Sequence, residues 1–313
     1  MMALGRPDMR GPQDDFANEG SNLDKALQIS LIGIILSVSS IGRAATIGNI
    51  PEMQGGSGRY SLGIEYDSLA NRDMTFDSGS ASSMAFLVTT PSPFPDSGSL
   101  ISGTETKSKR ILLRGAVNLM SRLDFYVKLG IADAELGYTI KSPAQADRQV
   151  KFDGSLDFAY GTGFKARMAS WGGWTVISDL QFLRYEVEGD YTVDGKDFAE
   201  LFPGRLIPER SRSEAEVQEL QLAVYLTGKI GMMTPYAGFK ISDLTIDIDN
   251  EASGKEFISL SPATESRRES HESADQVGVF LGTGLEMNGP WTANIEIRFI
   301  DETAVSVGIN RHY

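Results

Sequence analysis

The sequence predicts an all-β fold: a transmembrane, up-and-down antiparallel β-barrel of about ten strands, with eight to twelve as the range. Three observations predict it. Apolar and polar residues alternate with period two in segments long enough to cross a bilayer at a tilt. The connections between these segments alternate between short and long. Aromatic residues gather beside the short connections.

The alternation can be followed strand by strand. Tyr60, Leu62, Ile64 and Tyr66 oppose Arg59, Ser61, Gly63 and Glu65, and Ile111, Leu113, Val117 and Leu119 oppose Arg114, Ala116 and Asn118. Phe125, Val127, Leu129 and Ile131 oppose Tyr126, Lys128 and Gly130. Leu156, Phe158, Tyr160 and Phe164 oppose Asp157, Ala159, Gly161, Gly163 and Lys165. Trp174, Val176, Leu180 and Phe182 face away from Thr175, Asp179 and Gln181. Leu220, Leu222, Val224 and Leu226 face away from Glu219, Gln221, Ala223 and Tyr225. Pro235, Ala237, Phe239 and Ile241 oppose Tyr236, Gly238 and Lys240, and Val277, Val279, Leu281, Leu285 and Met287 oppose Gly278, Gly282, Gly284 and Glu286. Trp291, Ala293, Ile295, Ile297 and Phe299 oppose Asn294, Glu296 and Arg298; Val305, Val307 and Ile309 oppose Ser306, Gly308 and Asn310. Leu244, Ile246 and Ile248 fall on the other parity from Phe239 and Ile241, which predicts a β-bulge near Ser242.

Short turns are expected at 120–124, 169–173, 231–234 and 288–290, on the periplasmic side. Long extracellular loops are expected at 68–106, 139–153, 192–214 and 250–274, and the first of them has room for an additional hairpin. Phe125, Trp174, Tyr236, Trp291 and the terminal Tyr313 would form a girdle at the membrane interface. The final strand, Val305 to Tyr313, with Gly308 and a terminal aromatic, resembles the C-terminal insertion signal of the outer-membrane protein A-like group of small barrels. That resemblance covers residues 57–313 and implies the architecture, an outer-membrane location and recognition by the barrel-assembly machinery. It implies no activity, because barrels of this size host unrelated ones.

Composition narrows the function classes. The 313 residues carry 33 Gly, no Cys and a formal charge of −13. No disulfide framework or thiolate chemistry is available, and an acidic chain lacks the basic face that nucleic-acid binding needs. The run Leu27 to Ile41, preceded by Lys25 and followed by Gly42-Arg43-Ala44-Ala45, reads as a signal peptide. Residues 1–45 are therefore expected to be removed, with residues 1–22 lying ahead of the true start, and 46–313 to form the barrel domain.

Inward positions carry a balanced set of charges: Arg59, Arg114, Lys128, Lys165, Lys240 and Arg298 against Glu65, Asp157, Asp179, Glu219, Glu286 and Glu296. Charges in a narrow tube are costly unless paired, so the expectation is a side-chain-filled lumen held by an ionic network, whereas a selective pore favours a ring of one sign. The expected function is non-enzymatic, a structural or surface-interaction role through the extracellular loops. A small porin-like channel is the alternative, and a surface hydrolase using His271 is a third reading. No metal, cofactor or phosphate-loop motif is present. Expected partners are outer-membrane lipid and lipopolysaccharide, and the apolar loop stretches within 68–106 and 192–214 would either meet a surface partner or fold back as a cap over the barrel mouth.

Overall fold

The computed structural model describes residues 60–85, 88–93, 100–119, 122–142, 146–201, 206–257, 259–287 and 289–313. The expected signal peptide and Arg59 lie outside them. Ten strands form the wall: β1, Tyr60–Ala85; β2, Leu100–Leu119; β3, in two segments, Leu123–Ala132 and Glu135–Lys141; β4, Arg148–Gly154 and Asp157–Trp171; β5, Trp174–Val193. They continue as β6, Leu206–Gly228; β7, Met233–Glu256; β8, Pro262–Ser273 and Val277–Glu286; β9, Trp291–Phe299; and β10, Glu302–His312. Each pairs antiparallel with the next, and β1 closes the ring, since Ile64 lies opposite both Leu113 of β2 and Ile309 of β10. Closure removes the free strand edges that could not be tolerated in lipid.

The short turns fall where expected. Their geometry suits glycine: Gly172, Gly173, Gly231 and Gly289 all have positive φ, which costs a residue without Cβ nothing. The long loops are a correction. β1 runs on to Ala85, β4 begins at Arg148, β6 at Leu206, and β7 reaches Glu256, so most of the four expected loops is strand. The additional hairpin exists as Val88–Pro93 pairing back on Ser80–Ala85, without adding to the ring.

The barrel has two tiers. In the lower one all ten strands take part. β9 and β10 end at the tight Ile300–Asp301 turn, and above it β8 crosses to pair directly with β1, from Met74–Ser273 to Ala85–Ala263. An eight-stranded upper tier results.

The bulge expected near Ser242 is not in β7, which keeps one register with β6 from Arg210–Ser253 to Thr227–Tyr236; the irregular step lies on the facing β8, whose pairing shifts by one residue between Ile241–Val277 and Thr245–Glu272. What changes is the chemistry of each face. Phe239 and Ile241 point out and Lys240 and Ser242 point in; two residues further, Asp243 points out and Leu244 points in. Ile246 and Ile248 then pack inward against Tyr138, Phe152, Val187, Val217 and Phe198. The same inversion separates Phe182 from Arg184 on β5, Leu220 from Gln218 on β6, and Ile111 from Lys109 on β2. Below this boundary the outside medium suits apolar side chains; above it, water does. A parity rule that assumes one solvent reads the change as a bulge.

Candidate functional site

The lower tier is apolar outside and polar inside, and the sorting is sharp between neighbours. Leu222 is 42% exposed and Gln221 is 1% exposed. At the turn end Phe125, Trp171, Trp174 and Trp291 are exposed, and the Arg311 guanidinium lies over the rings of Trp291 and Tyr313, at 5.5 and 4.8 Å. Tyr236 is a correction to the expected girdle: its parity turns it inward, where it is buried beside Tyr225 and Phe280.

Nine of the twelve charges expected in the lumen are buried: Glu65, Arg114, Lys128, Lys165, Asp179, Glu219, Lys240, Glu296 and Arg298. Two are corrections. Asp157 is exposed beside the bend that joins the two segments of β4, where its carboxylate accepts the Phe158 amide at 2.6 Å. Glu286 lies at the rim, half exposed, bound to Lys229 at 2.6 Å. There the strand ends and its carboxylate reaches water.

Eight of these nine buried charges, all but Glu296, fall into two groups. In the first, Glu65 meets Lys128 at 2.7 Å and Arg114 at 3.6 Å, and Asp179 meets Lys165 at 3.5 Å and accepts a hydrogen bond from Tyr126 at 2.8 Å. The Arg114 guanidinium rests 4.6 Å from the centre of the Tyr126 ring. The second group contains four acids and four bases. Glu219 pairs with Arg110 at 2.7 Å and Arg72 at 3.6 Å; Asp67 lies between Arg110 and Arg298 at 3.5 and 3.6 Å. Glu302 meets Lys240, Arg298 and Arg72 at 2.5, 2.7 and 3.4 Å, and Asp301 meets Lys240 at 2.8 Å. Charges taken out of water are tolerated when geometry and opposite charge compensate them, and here each acid has a base.

Sequence reasoning reaches only Glu219, Lys240 and Arg298 and misses the other five members of the second group. Arg110 and Asp67 share parity with Arg114 and Glu65 but lie one residue outside the alternating runs Ile111–Leu119 and Tyr60–Tyr66. Arg72 lies past the register shift between Leu69 and Asn71, and Asp301 and Glu302 read as turn residues. Only the fold shows that this turn points its carboxylates inward, into space left by Gly278, where a Cβ would collide with Asp301.

The upper tier holds the other titratable cluster, and His271 belongs to it. Instead of a loop tip, His271 is a fully buried strand residue, with its Nε2 3.3 Å from Glu269 and its ring against Phe76 and Tyr138. Glu269 accepts hydrogen bonds from Tyr138 and, at 2.7 Å, from Tyr191, and meets Arg267 at 2.7 Å. Burial alone would raise the pKa of Glu269, but the Arg267 guanidinium and the hydrogen bonds from His271, Tyr138 and Tyr191 outweigh it, so the carboxyl stays below its usual range. Of the apolar residues in the expected loop 192–214, Phe198 and Leu206 turn inward and are buried in the upper-tier core, whereas Ile207 is exposed.

A closed antiparallel barrel with an apolar belt towards its surroundings and a polar, charge-paired interior is a transmembrane β-barrel. The chain is such a barrel. No family model and no curated protein matches it. Among solved structures it is similar to the translocator domain of the autotransporter NalP from Neisseria meningitidis, at 10% identity over 93% of this chain and 98% of that one, with a TM-score of 0.36. It is similar to the outer membrane protein OprG from Pseudomonas aeruginosa at 9% identity, over 82% and 99%, TM-score 0.35. A third is the Ralstonia pickettii toluene transporter TbuX, at 10% identity over 87% and 95%, TM-score 0.36. Identities this low are no basis for a shared activity.

Proposed function

We propose that this protein is a closed, non-conducting outer-membrane barrel without enzymatic activity, whose role is structural and surface-directed: it holds an eight-stranded tier and its connecting loops clear of the outer leaflet. The observation that carries the reading is that the interior is filled twice, by compensated ion pairs in the lipid tier and by an apolar core above them. An ion crossing this path would meet a buried charge network and then a low-dielectric plug. The burial of His271, with Glu269 as its polar partner and the rings of Phe76 and Tyr138 against its own, argues against hydrolysis at that residue. The short turns then lie in the periplasm, and the final strand Glu302–His312 serves the assembly machinery, in keeping with the resemblance to the small outer-membrane protein A-like barrels.

Planar-bilayer recording tests the reading. The refolded barrel is expected to add no steady conductance steps; regular, reproducible steps would establish the channel instead.

A further inference from the structure

The ammonium of Lys240 meets two carboxylates where the β9–β10 turn enters the lumen. Its Nζ lies 2.8 Å from Asp301 Oδ2 and 2.5 Å from Glu302 Oε1, and all three side chains are at most 2% exposed. The two carboxylates are unlike. Glu302 is also held by the guanidinium groups of Arg298 at 2.7 Å and Arg72 at 3.4 Å. Among the described residues Asp301 forms an ion pair with Lys240 alone, and its Oδ2 accepts a hydrogen bond from the Ser242 hydroxyl at 3.2 Å. That hydroxyl is fixed in turn by Arg72, whose Nη2 donates to it at 2.9 Å. Asp301 Oδ1 accepts no hydrogen bond among the described residues and lies against Gly278, where a Cβ would collide with it.

We propose that this ion pair is the reactant state of a self-catalysed condensation, in which the Lys240 amine and the Asp301 carboxyl join as an intramolecular amide with Glu302 as the proton relay. Glu302 takes one proton from the ammonium, and the freed lone pair on Nζ attacks Asp301 Cγ. A C–N bond forms and one C–O bond breaks. The departing oxygen leaves as water, carrying the two protons that the nitrogen gives up, and Glu302 ends as the carboxylate it was. Nothing is oxidised or reduced, and no co-reactant is needed.

In water such a condensation is opposed by the hydration of both ions and by the excess of water, and burial weakens both obstacles. The ions have already lost their hydration, and a site closed to solvent protects the amide from hydrolysis. Holding two groups in reactive contact supplies an effective concentration of about 10⁵–10⁸ M when they are well oriented. The relay lies within hydrogen-bond reach of the proton it must move, which is the geometric condition for general-base catalysis. Arg298 and Arg72 keep Glu302 as a carboxylate able to accept that proton, whereas Asp301, polarised by Ser242 and bound by no guanidinium, is the better electrophile. The amide removes one acid and one base from a group of four acids and four bases, so the remaining charges stay balanced. It would join β7 covalently to the turn at which ten strands become eight, whether or not the lumen conducts.

Intact-mass spectrometry under denaturing conditions tests this on the full chain after it has refolded in a non-ionic detergent, with the folded fraction read from an unheated gel. The folded chain is expected to weigh one water less than its sequence. A tryptic digest should contain residues 230–255 joined to 299–311, because Lys240 is no longer a cleavage site once it is an amide. Chain kept in urea throughout is expected at full mass, which ties the loss to the folded geometry. Lys240→Arg and Asp301→Ala should each abolish the joined peptide. Glu302→Gln keeps both reacting groups and should slow its appearance at least tenfold at equal folded fraction. A folded parent at full mass would overturn the proposal even if every variant failed to fold. So would a loss of water that survives Lys240→Arg, or joining in Glu302→Gln at the parent rate.

Discussion

Lys240 reaches 2.8 Å from Asp301, and by this contact β7 is tied to the turn at which the barrel narrows from ten strands to eight. The same ammonium also meets Glu302, so one cation compensates two buried carboxylates. Removing one partner of a buried pair is much worse than removing both, since the survivor keeps its desolvation cost without its compensation. Lys240→Met is therefore expected to destabilise the barrel by about 3–5 kcal/mol. Adding Asp301→Asn should recover part of that loss. Urea-dependent unfolding from lipid vesicles measures both, and a double variant no better than the single one would show that the pair is not coupled.

The change of outside medium along one strand can be measured on β6. Leu222 and Glu216 both point outward, the first within the apolar belt and the second above it. Leu222→Arg should cost roughly 2–4 kcal/mol of folding into bilayers, as for a basic residue near mid-membrane. Glu216→Arg gives up the partly exposed pair with Arg184 and should cost about 1 kcal/mol or less, as surface ion pairs do. Similar costs at the two positions would place the boundary elsewhere.

Ile300 stands in the tight β9–β10 turn with φ of 89°, a left-handed conformation that a β-branched residue adopts only under strain, and it is 72% exposed. With so little packing to lose, Ile300→Gly should gain about 1 kcal/mol, the relief of strain exceeding the added freedom of the unfolded chain. Ile300→Val keeps the branched Cβ and should gain nothing. The comparison is made by chemical unfolding of the two variants beside the parent.

Glu214, on the outer surface of the upper tier, has its carboxyl pushed up to about 7, first by a hydrogen bond with Glu186, then by partial burial and by the neighbouring negative charge. Because the folded value lies above the ordinary one of 4.5, the folded state holds the proton more tightly, and this group withdraws stability as pH rises from 4.5 through about 7. The upper tier should resist protease better at pH 5 than at pH 8. Glu214→Gln should reduce that difference; an unchanged pH dependence would assign it to other groups.

His271 shows why the sequence was informative about one tier and misleading about the other. Its neighbours Arg267, Arg268, Glu269, Ser270 and Glu272 read as a solvated loop, because a lipid-facing strand carries its apolar set outward and this stretch has none. In the fold Arg268, Ser270 and Glu272 face water while Glu269 and His271 are buried, so the strand alternates correctly for a soluble barrel. The pattern was present with its sign reversed. Phe198 was ambiguous for a related reason, since an apolar loop residue reads alike whether it caps an interior or awaits a partner.

The sequence by itself determined the ten crossings, the facing of residues such as Leu222, Gln221 and Tyr225, and the turn sites marked by Gly172, Gly231 and Gly289, because period-two alternation and backbone sterics are local properties. Tertiary structure alone decided which charges meet. Arg72 finds Glu302 across 230 positions of chain, and Asp301 reaches Lys240 only because β9 and β10 stop short. It also decided where the wall leaves the membrane, since that depends on which medium surrounds each rung of the closed ring, and no single strand carries that information.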